Sequence, residues 1–151
     1  MKPPPFEYHR PATVDEAVEL LADLGDGAKV LAGGQSLVPM LNLRLAYLDD
    51  LVDITRLTDL QGVDRRDGML RIGAGTTEAA LERDAVVAAD APLVARATPL
   101  IGHFQIRNRG TIGGSLAHAD HAAEYPAVAV ALADELAARS PRGTRTTAAA
   151  G

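Results

Sequence analysis

The sequence predicts an α+β fold of two subdomains, and three observations carry that expectation. A short apolar strand at residues 28–31 runs into a glycine pair, Gly33-Gly34, with Ser36 two positions on and a helical stretch behind it. A second pair, Gly113-Gly114, recurs far along the chain, preceded by the strand-like Ile112 and followed at once by Ser115. Between them, near Leu60, the pattern changes from helix and buried strand to strand, turn, strand around Asp67-Gly68, a strong local hairpin signal. Residues 1–60 are therefore expected to form a first α/β subdomain, and residues 61–151 a second α+β subdomain.

Pro3 to Pro5 form an extended lead-in, and Phe6 to His9 reads as a short edge strand that Pro11 ends. Thr13 and Glu16 have capping-box spacing; Val14, Ala17, Val18, Leu20, Leu21 and Leu24 recur at helical intervals; Gly25 is placed to stop the helix. Ala28 to Leu31 is the buried strand. Ser36 as cap and Pro39 in the first turn predict a short helix to Leu43. Leu51 to Ile54 is the next strand, and Leu57 to Leu60 a connection. The hairpin pairs Gln61 to Arg65 with Met69 to Ala74. Thr76 or Thr77 caps a helix to about Arg83, and Pro92 to Leu100 is helical, bent or ended near Pro99. Gln105 to Arg109 is polar and basic and leads into the second glycine loop. Glu124 to Ala133 is apolar on most faces, as a buried helix is, with Pro126 in its first turn.

Composition bounds the function. The 15 basic and 20 acidic residues leave a net charge of −5, so no global field draws the chain to nucleic acid or to an anionic membrane, and an anionic ligand must be held locally. Without cysteine there is no disulfide, thiolate zinc site or iron–sulfur ligation within this chain. The start, MKPPPFEYHR, lacks the apolar run of a signal peptide, and no stretch reaches the length of a membrane span, so a cytoplasmic location without membrane insertion is expected.

Paired glycines turn successive N–H groups toward one point and put no side chain in the way, which suits a phosphate. Strand, glycine loop and helix add the positive end of a helix. Two such loops suggest a pair of jaws on a diphosphate. Neither has the GxGxxG spacing of a Rossmann turn or the lysine of a Walker loop. His118, Asp120, His121 and Glu124 form a cluster that matches no standard zinc spacing, and no metal site is expected. Arg107 and Arg109 would steer a phosphate or form a solvated surface; Tyr8, Tyr47 and Tyr125 would stack on an aromatic ligand or pack at a subdomain edge. No residue has the setting of a general acid, base or nucleophile, so no catalytic side chain is expected.

The runs VLAGGQSLVPMLNLRLA, LVDI at Leu51 to Ile54, and IGHFQIRNRGTIGGSLAHAD resemble the FAD-binding medium subunit of the molybdenum hydroxylases, of the aerobic carbon monoxide dehydrogenase and xanthine dehydrogenase type. The resemblance implies a two-subdomain, PCMH-like fold in which both loops wrap the FAD diphosphate. It carries FAD contacts onto Ala32, Gly33, Gly34, Gln35 and Ser36, and onto Thr111, Gly113, Gly114 and Ser115. It also places Leu37 and Ile101 near the cofactor, and makes Glu124 a polar partner for its nucleotide part. His121 departs from the proline, and Ser115 from the asparagine, that many members carry. Members continue for about as many residues again, so the chain is expected to represent the front half of such a subunit, with the C-terminal half missing.

The function implied is electron relay: from a molybdenum-cofactor large subunit through an iron–sulfur small subunit to FAD, and on to an acceptor such as NAD or a quinone. The competing expectation is a noncatalytic assembly module that docks on partner subunits without stably holding flavin. One local conflict remains. On propensity, Asp134 to Arg139 would extend the preceding helix. The resemblance and the turn Ser140-Pro141-Arg142-Gly143 instead imply a hairpin, which is the expectation adopted.

Overall fold

The computed structural model describes residues 2–150. It begins with a small parallel sheet. Strands β1 (Glu7–His9) and β2 (Ala28–Leu31) flank the central β3 (Asp50–Asp53), and all three run the same way. Parallel strands need a crossover connection, which helix α1 (Val14–Leu24) supplies between β1 and β2. The expected cap is present: the Glu16 N–H donates to Thr13 Oγ1 at 3.1 Å, and the Ala12 N–H donates to the Glu16 carboxylate at 2.7 Å. Gly25 follows α1 at φ 67°, a backbone that side chains rarely adopt.

Helix α2 (Leu37–Asn42) follows the first glycine pair. Ser36 is not a side-chain cap, contrary to expectation: its backbone is already helical and its hydroxyl makes no capping bond. Backbone alone starts the helix, with the Gly34 and Ser36 carbonyls accepting from Val38 at 3.1 Å and Met40 at 3.2 Å. Leu41, Leu48 and Leu51 form a first buried cluster, joined at its rim by Phe6, Leu31 and Leu37.

The hairpin of β4 (Val63–Arg66) and β5 (Met69–Ile72) turns at Asp67 and Gly68, both at positive φ as a two-residue primed turn requires. Helices α3 (Glu78–Arg83), α4 (Ala85–Asp90) and α5 (Pro92–Ala97) follow. Thr77, rather than Thr76, caps α3, its hydroxyl accepting from Ala80 at 3.3 Å. Sequence reading did not resolve α4, which Asp84 starts by accepting from both Val86 and Val87. A 3-10 turn at Thr98–Leu100 ends this helical run around Pro99, as expected. The approach to the second glycine pair differs from the polar loop expected. Phe104–Arg107 is a short helix, α6, and Ile112–His118 is helix α7, so Ile112 opens a helix instead of ending a strand. Helix α8 (Glu124–Leu132) packs against α5 and α7 and stops at Ala133 in the left-handed region. Leu81, Val87, Val94, Ala97, Tyr125 and Val128 form the second buried cluster.

At residues 134–139 the hairpin forms and the helix does not continue. Strands β6 (Glu135–Ser140) and β7 (Gly143–Ala148) pair antiparallel, closed by Ser140 opposite Gly143. Strand β6 lies against α1, and Arg139 pairs with Asp15, so this hairpin reaches back to the first part of the chain.

Asp84 satisfies two otherwise open N–H groups of α4, and Val87 on that helix is fully buried. Asp84→Ala is expected to cost about 1 kcal/mol of stability, read as a lower urea midpoint with an unchanged denaturant slope.

Candidate functional site

The two glycine segments, far apart in sequence, meet through their backbones. A methyl group added at Gly33 would lie 2.3 Å from the Arg109 carbonyl oxygen and 2.7 Å from the Gly110 Cα. No side chain fits between them, so glycine at position 33 is required by the contact itself. One added at Gly114 would come 3.5 Å from the Ala32 Cβ. The second segment is in turn fixed from behind. Thr111 bridges Thr77 in antiparallel fashion; the Glu78 N–H donates to the Gly110 carbonyl at 2.9 Å, and the Ile112 N–H to the Thr76 carbonyl at 3.1 Å.

The segments differ in the donors they offer. In the first, the N–H groups of Gly33, Gly34, Gln35, Ser36 and Leu37 donate to no protein acceptor among the described residues. Gln35 and Ser36 are exposed, and Ala32, Gly33, Gly34 and Leu37 are half-buried. Successive N–H groups left free of protein acceptors suit an anion where the backbone turns them toward one point. In the second, every N–H from Ile112 to Ser115 is claimed: Gly113 donates to the Ala74 carbonyl at 2.9 Å, Gly114 to Thr111 Oγ1 at 3.1 Å, and Ser115 to the Thr111 carbonyl at 3.0 Å. The picture of two equal jaws of N–H donors is corrected accordingly. Thr111 is buried and serves as the cap of α7, which leaves the Ser115 hydroxyl, half-buried and without a protein partner among the described residues, as the polar group this segment presents.

Leu37 and Ile101 lie at the rims of the first and second buried clusters. Glu124 opens α8, half-buried. The structure gives the arginines and tyrosines different settings. Arg107 is committed, donating to Glu82 at 2.8 Å and to the Ile101 and Gly102 carbonyls at 3.1 and 3.2 Å. Arg109 is exposed and contributes its carbonyl to the Gly33 contact. Tyr125 is buried against Thr98, hydroxyl to hydroxyl at 2.8 Å, and burial pushes its phenol up to about 12. Tyr8 hydrogen-bonds Asp53, and Tyr47 is exposed. The described residues hold no cluster of His, Cys, Asp or Glu able to ligate a metal. A cavity of about 320 Å³ beside Gly62, Thr77 and Asp84 contains no residue of either glycine segment. Its one ionisable lining group, Asp84, is spent on capping α4.

Residues 4–151 match the family described as the FAD binding domain in molybdopterin dehydrogenase. The chain belongs to this family. It is 49% identical over 145 residues to the 6-hydroxypseudooxynicotine dehydrogenase complex subunit alpha of Paenarthrobacter nicotinovorans, covering 96% of this chain and 49% of that one. Among solved structures, carbon monoxide dehydrogenase from Hydrogenophaga pseudoflava superposes with a TM-score of 0.97 at 46% identity, covering 100% of this chain and 53% of that chain. Quinoline 2-oxidoreductase from Pseudomonas putida 86 gives 0.94 at 39%, covering 99% and 52%. The chain thus spans about half the length of the curated relatives it matches. FAD is the cofactor of the family, and the residues present fit it: a side-chain-free approach, unclaimed N–H donors in the first segment and a hydroxyl in the second suit a dinucleotide diphosphate.

Sequence reasoning missed Glu78. It is 4% exposed, and its Oε2 has no hydrogen-bond partner among the described residues. Burial pushes its carboxyl up to about 7; Arg107 opposes the rise and the Glu124 charge adds to it. A group raised above its unfolded value stabilises fully below the unfolded range and loses that contribution as pH climbs through its folded value. Relative to Glu78→Gln, the protein is therefore expected to lose about 2 to 3 kcal/mol of stability between pH 5 and pH 8. Urea denaturation of both proteins across that range checks this. Parallel stability curves would show that Glu78 is ionised throughout.

Proposed function

We propose that this chain supplies the FAD diphosphate site of a molybdenum hydroxylase medium subunit, and that the subunit relays electrons from a molybdenum and iron–sulfur complex to an external acceptor such as NAD or a quinone. The observation that carries the reading is the meeting of Gly33 with Arg109 and Gly110, which joins a segment of unclaimed N–H groups to the segment that carries the Ser115 hydroxyl. Residues 1–60 and 61–151 are the two subdomains whose edges these segments form. When bound, FAD accepts and passes on electrons; the protein's part is to bind it, orient it and tune its surroundings.

Each assigned residue has a task in this reading. Gly33, Gly34, Gln35 and Ser36 direct peptide N–H groups at one phosphate, with Ala32 and Leu37 framing the approach. Ser115 donates its hydroxyl to the second phosphate. Thr111, Gly113 and Gly114 hold that segment in shape and keep its face clear of bulk. Ile101 lines the apolar side, and Glu124 accepts from ribose hydroxyls. A large molybdenum-cofactor subunit and a small iron–sulfur subunit would complete the path, in the cytoplasm. Among the described residues, no helix is long and apolar enough to cross a membrane. The alternative, an assembly module that does not hold flavin, gains nothing from a row of unclaimed donors.

Flavin fluorescence titration of the chain, followed by flavin reduction in the presence of the two partner subunits, tests the reading. Gly33→Val and Gly114→Val are expected to abolish FAD retention. The first would force apart the two backbones that frame the site, and the second would crowd the Thr111 cap and Ala32. Ser115→Ala removes one hydrogen bond to a charged group and is expected to weaken binding by about 1.5 to 3 kcal/mol. Equal FAD occupancy in the glycine variants and the parent would overturn the proposal.

A further inference from the structure

Behind Gly110 sits a carboxyl group for which the FAD contacts have no use. Glu78 opens α3 and donates its N–H to the Gly110 carbonyl, while a methyl group added at Gly110 would lie 2.6 to 2.8 Å from the Glu78 carboxyl atoms. The same Gly110 Cα lies 2.7 Å from a methyl group added at Gly33, whose nearest neighbour is the Arg109 carbonyl oxygen at 2.3 Å. The backbone of one residue, Gly110, therefore lies against both the buried acid and the place where the two segments meet.

The ionisable groups facing Glu78 are few. Helix α6 contributes Arg107, whose partner is Glu82 on α3, and α8 contributes Glu124 and Tyr125. Arg107 is bound to Glu82 and to two carbonyls, and Tyr125 to Thr98, so neither gives Oε2 a hydrogen bond. Residues 33–37 bring no charge. A carboxylate here would be buried, with no hydrogen bond to Oε2 and beside the like charge of Glu124, which favours the neutral acid.

We propose that Glu78 is a positioning residue of the second glycine segment whose neutral, protonated form is the one compatible with a bound diphosphate, so that FAD binding is coupled to proton uptake. The proposal rests on the FAD reading above. Salt screens buried charges poorly, so an ionised Glu78 would act on the diphosphate through the thin layer between them. Linkage is reciprocal: if the proton favours the anion, the anion holds the proton more tightly. No bond forms or breaks among heavy atoms in this step; one proton moves from solvent to the Glu78 carboxylate.

Calorimetric titration of FAD into the 151-residue chain and into Glu78→Gln, from pH 6 to pH 8.5 in two buffers of different ionisation enthalpy, tests the coupling. The parent is expected to bind about tenfold more weakly at the upper pH and to take up protons on binding near pH 7. Glu78→Gln is expected to bind with constant affinity and no uptake. Parent-like pH dependence and uptake in Glu78→Gln, or FAD binding by the parent without uptake, overturns the proposal and leaves the FAD reading standing. Absence of FAD binding at every pH overturns both. If Glu78→Gln does not fold, carbon-13 carboxyl titration of the parent decides: the Glu78 midpoint rises on FAD addition if the proposal holds and stays put if it fails.

Discussion

The site depends on one steric fact, the contact of Gly33 with the backbone of Arg109 and Gly110. Each side of that contact belongs to an element anchored by its own buried cluster: Leu31 and Leu37 flank the first segment and join one, while Ile112 and Leu116 follow the second and join the other. Because no side chain lies in the joint, no rotamer can absorb a misfit, and the spacing is as stiff as the backbone. The bridge between Thr77 and Thr111 gives the second segment a fixed support at the start of α3. An anion bound beside this joint meets groups already in place, so little ordering entropy opposes it.

The two segments share a sequence pattern and divide the work unequally. The first leaves the end of a parallel strand, where ligands commonly bind in open sheets, and its N–H groups have no structural claim on them. The second leaves an antiparallel bridge and enters a capped helix, so its donors are consumed by Thr76, Ala74 and Thr111. That segment gives up donors and gains a rigid outline. Its glycines serve packing: a methyl group at Gly113 would fall 2.5 Å from the Ala74 Cβ. Shape from one side and hydrogen bonds from the other is a different arrangement from two matching jaws, although the sequence reads the same in both places.

Local chemistry was legible where neighbours in sequence decide it. The Thr13 and Glu16 cap, the β2 strand and the Asp67-Gly68 hairpin came from short-range signals, whereas the stop at Ala133 came from the family resemblance and the Ser140 to Gly143 turn, against local helix propensity. What failed depends on the backbone path of a turn or on contacts between distant residues. Ile112 carries strand propensity, yet Thr111 caps the following turn and makes it a helix. Ser36 has the identity of a cap but lies inside the turn that the Gly34 carbonyl starts. Arg107 reads as a phosphate-steering or solvated arginine until Glu82, 25 residues earlier, is found bound to it. Glu78 was invisible for the same reason: an acid in a helix's first turn is ordinary in sequence, and only the fold shows that this one is covered by Gly110 and faces Arg107.

A chain of net charge −5 cannot rely on its overall field to hold a diphosphate, and several of its arginines are already paired. Arg107 pairs with Glu82, Arg65 with Asp90 and Arg139 with Asp15, while Arg109 is exposed beside the Gly33 contact. In the proposed site the oriented peptide dipoles of residues 33–37 carry the attraction close in; they act over a few ångströms and lose their effect when their orientation is lost. Affinity becomes a property of how well the two halves of the joint are held together. A substitution in the Leu41, Leu48 and Leu51 cluster, or in the Leu81 to Val128 cluster, touches no ligand atom and still moves one row of groups relative to the other. On this logic the cores and the cofactor site form a single mechanical unit, and loosening either core weakens binding before it unfolds the protein.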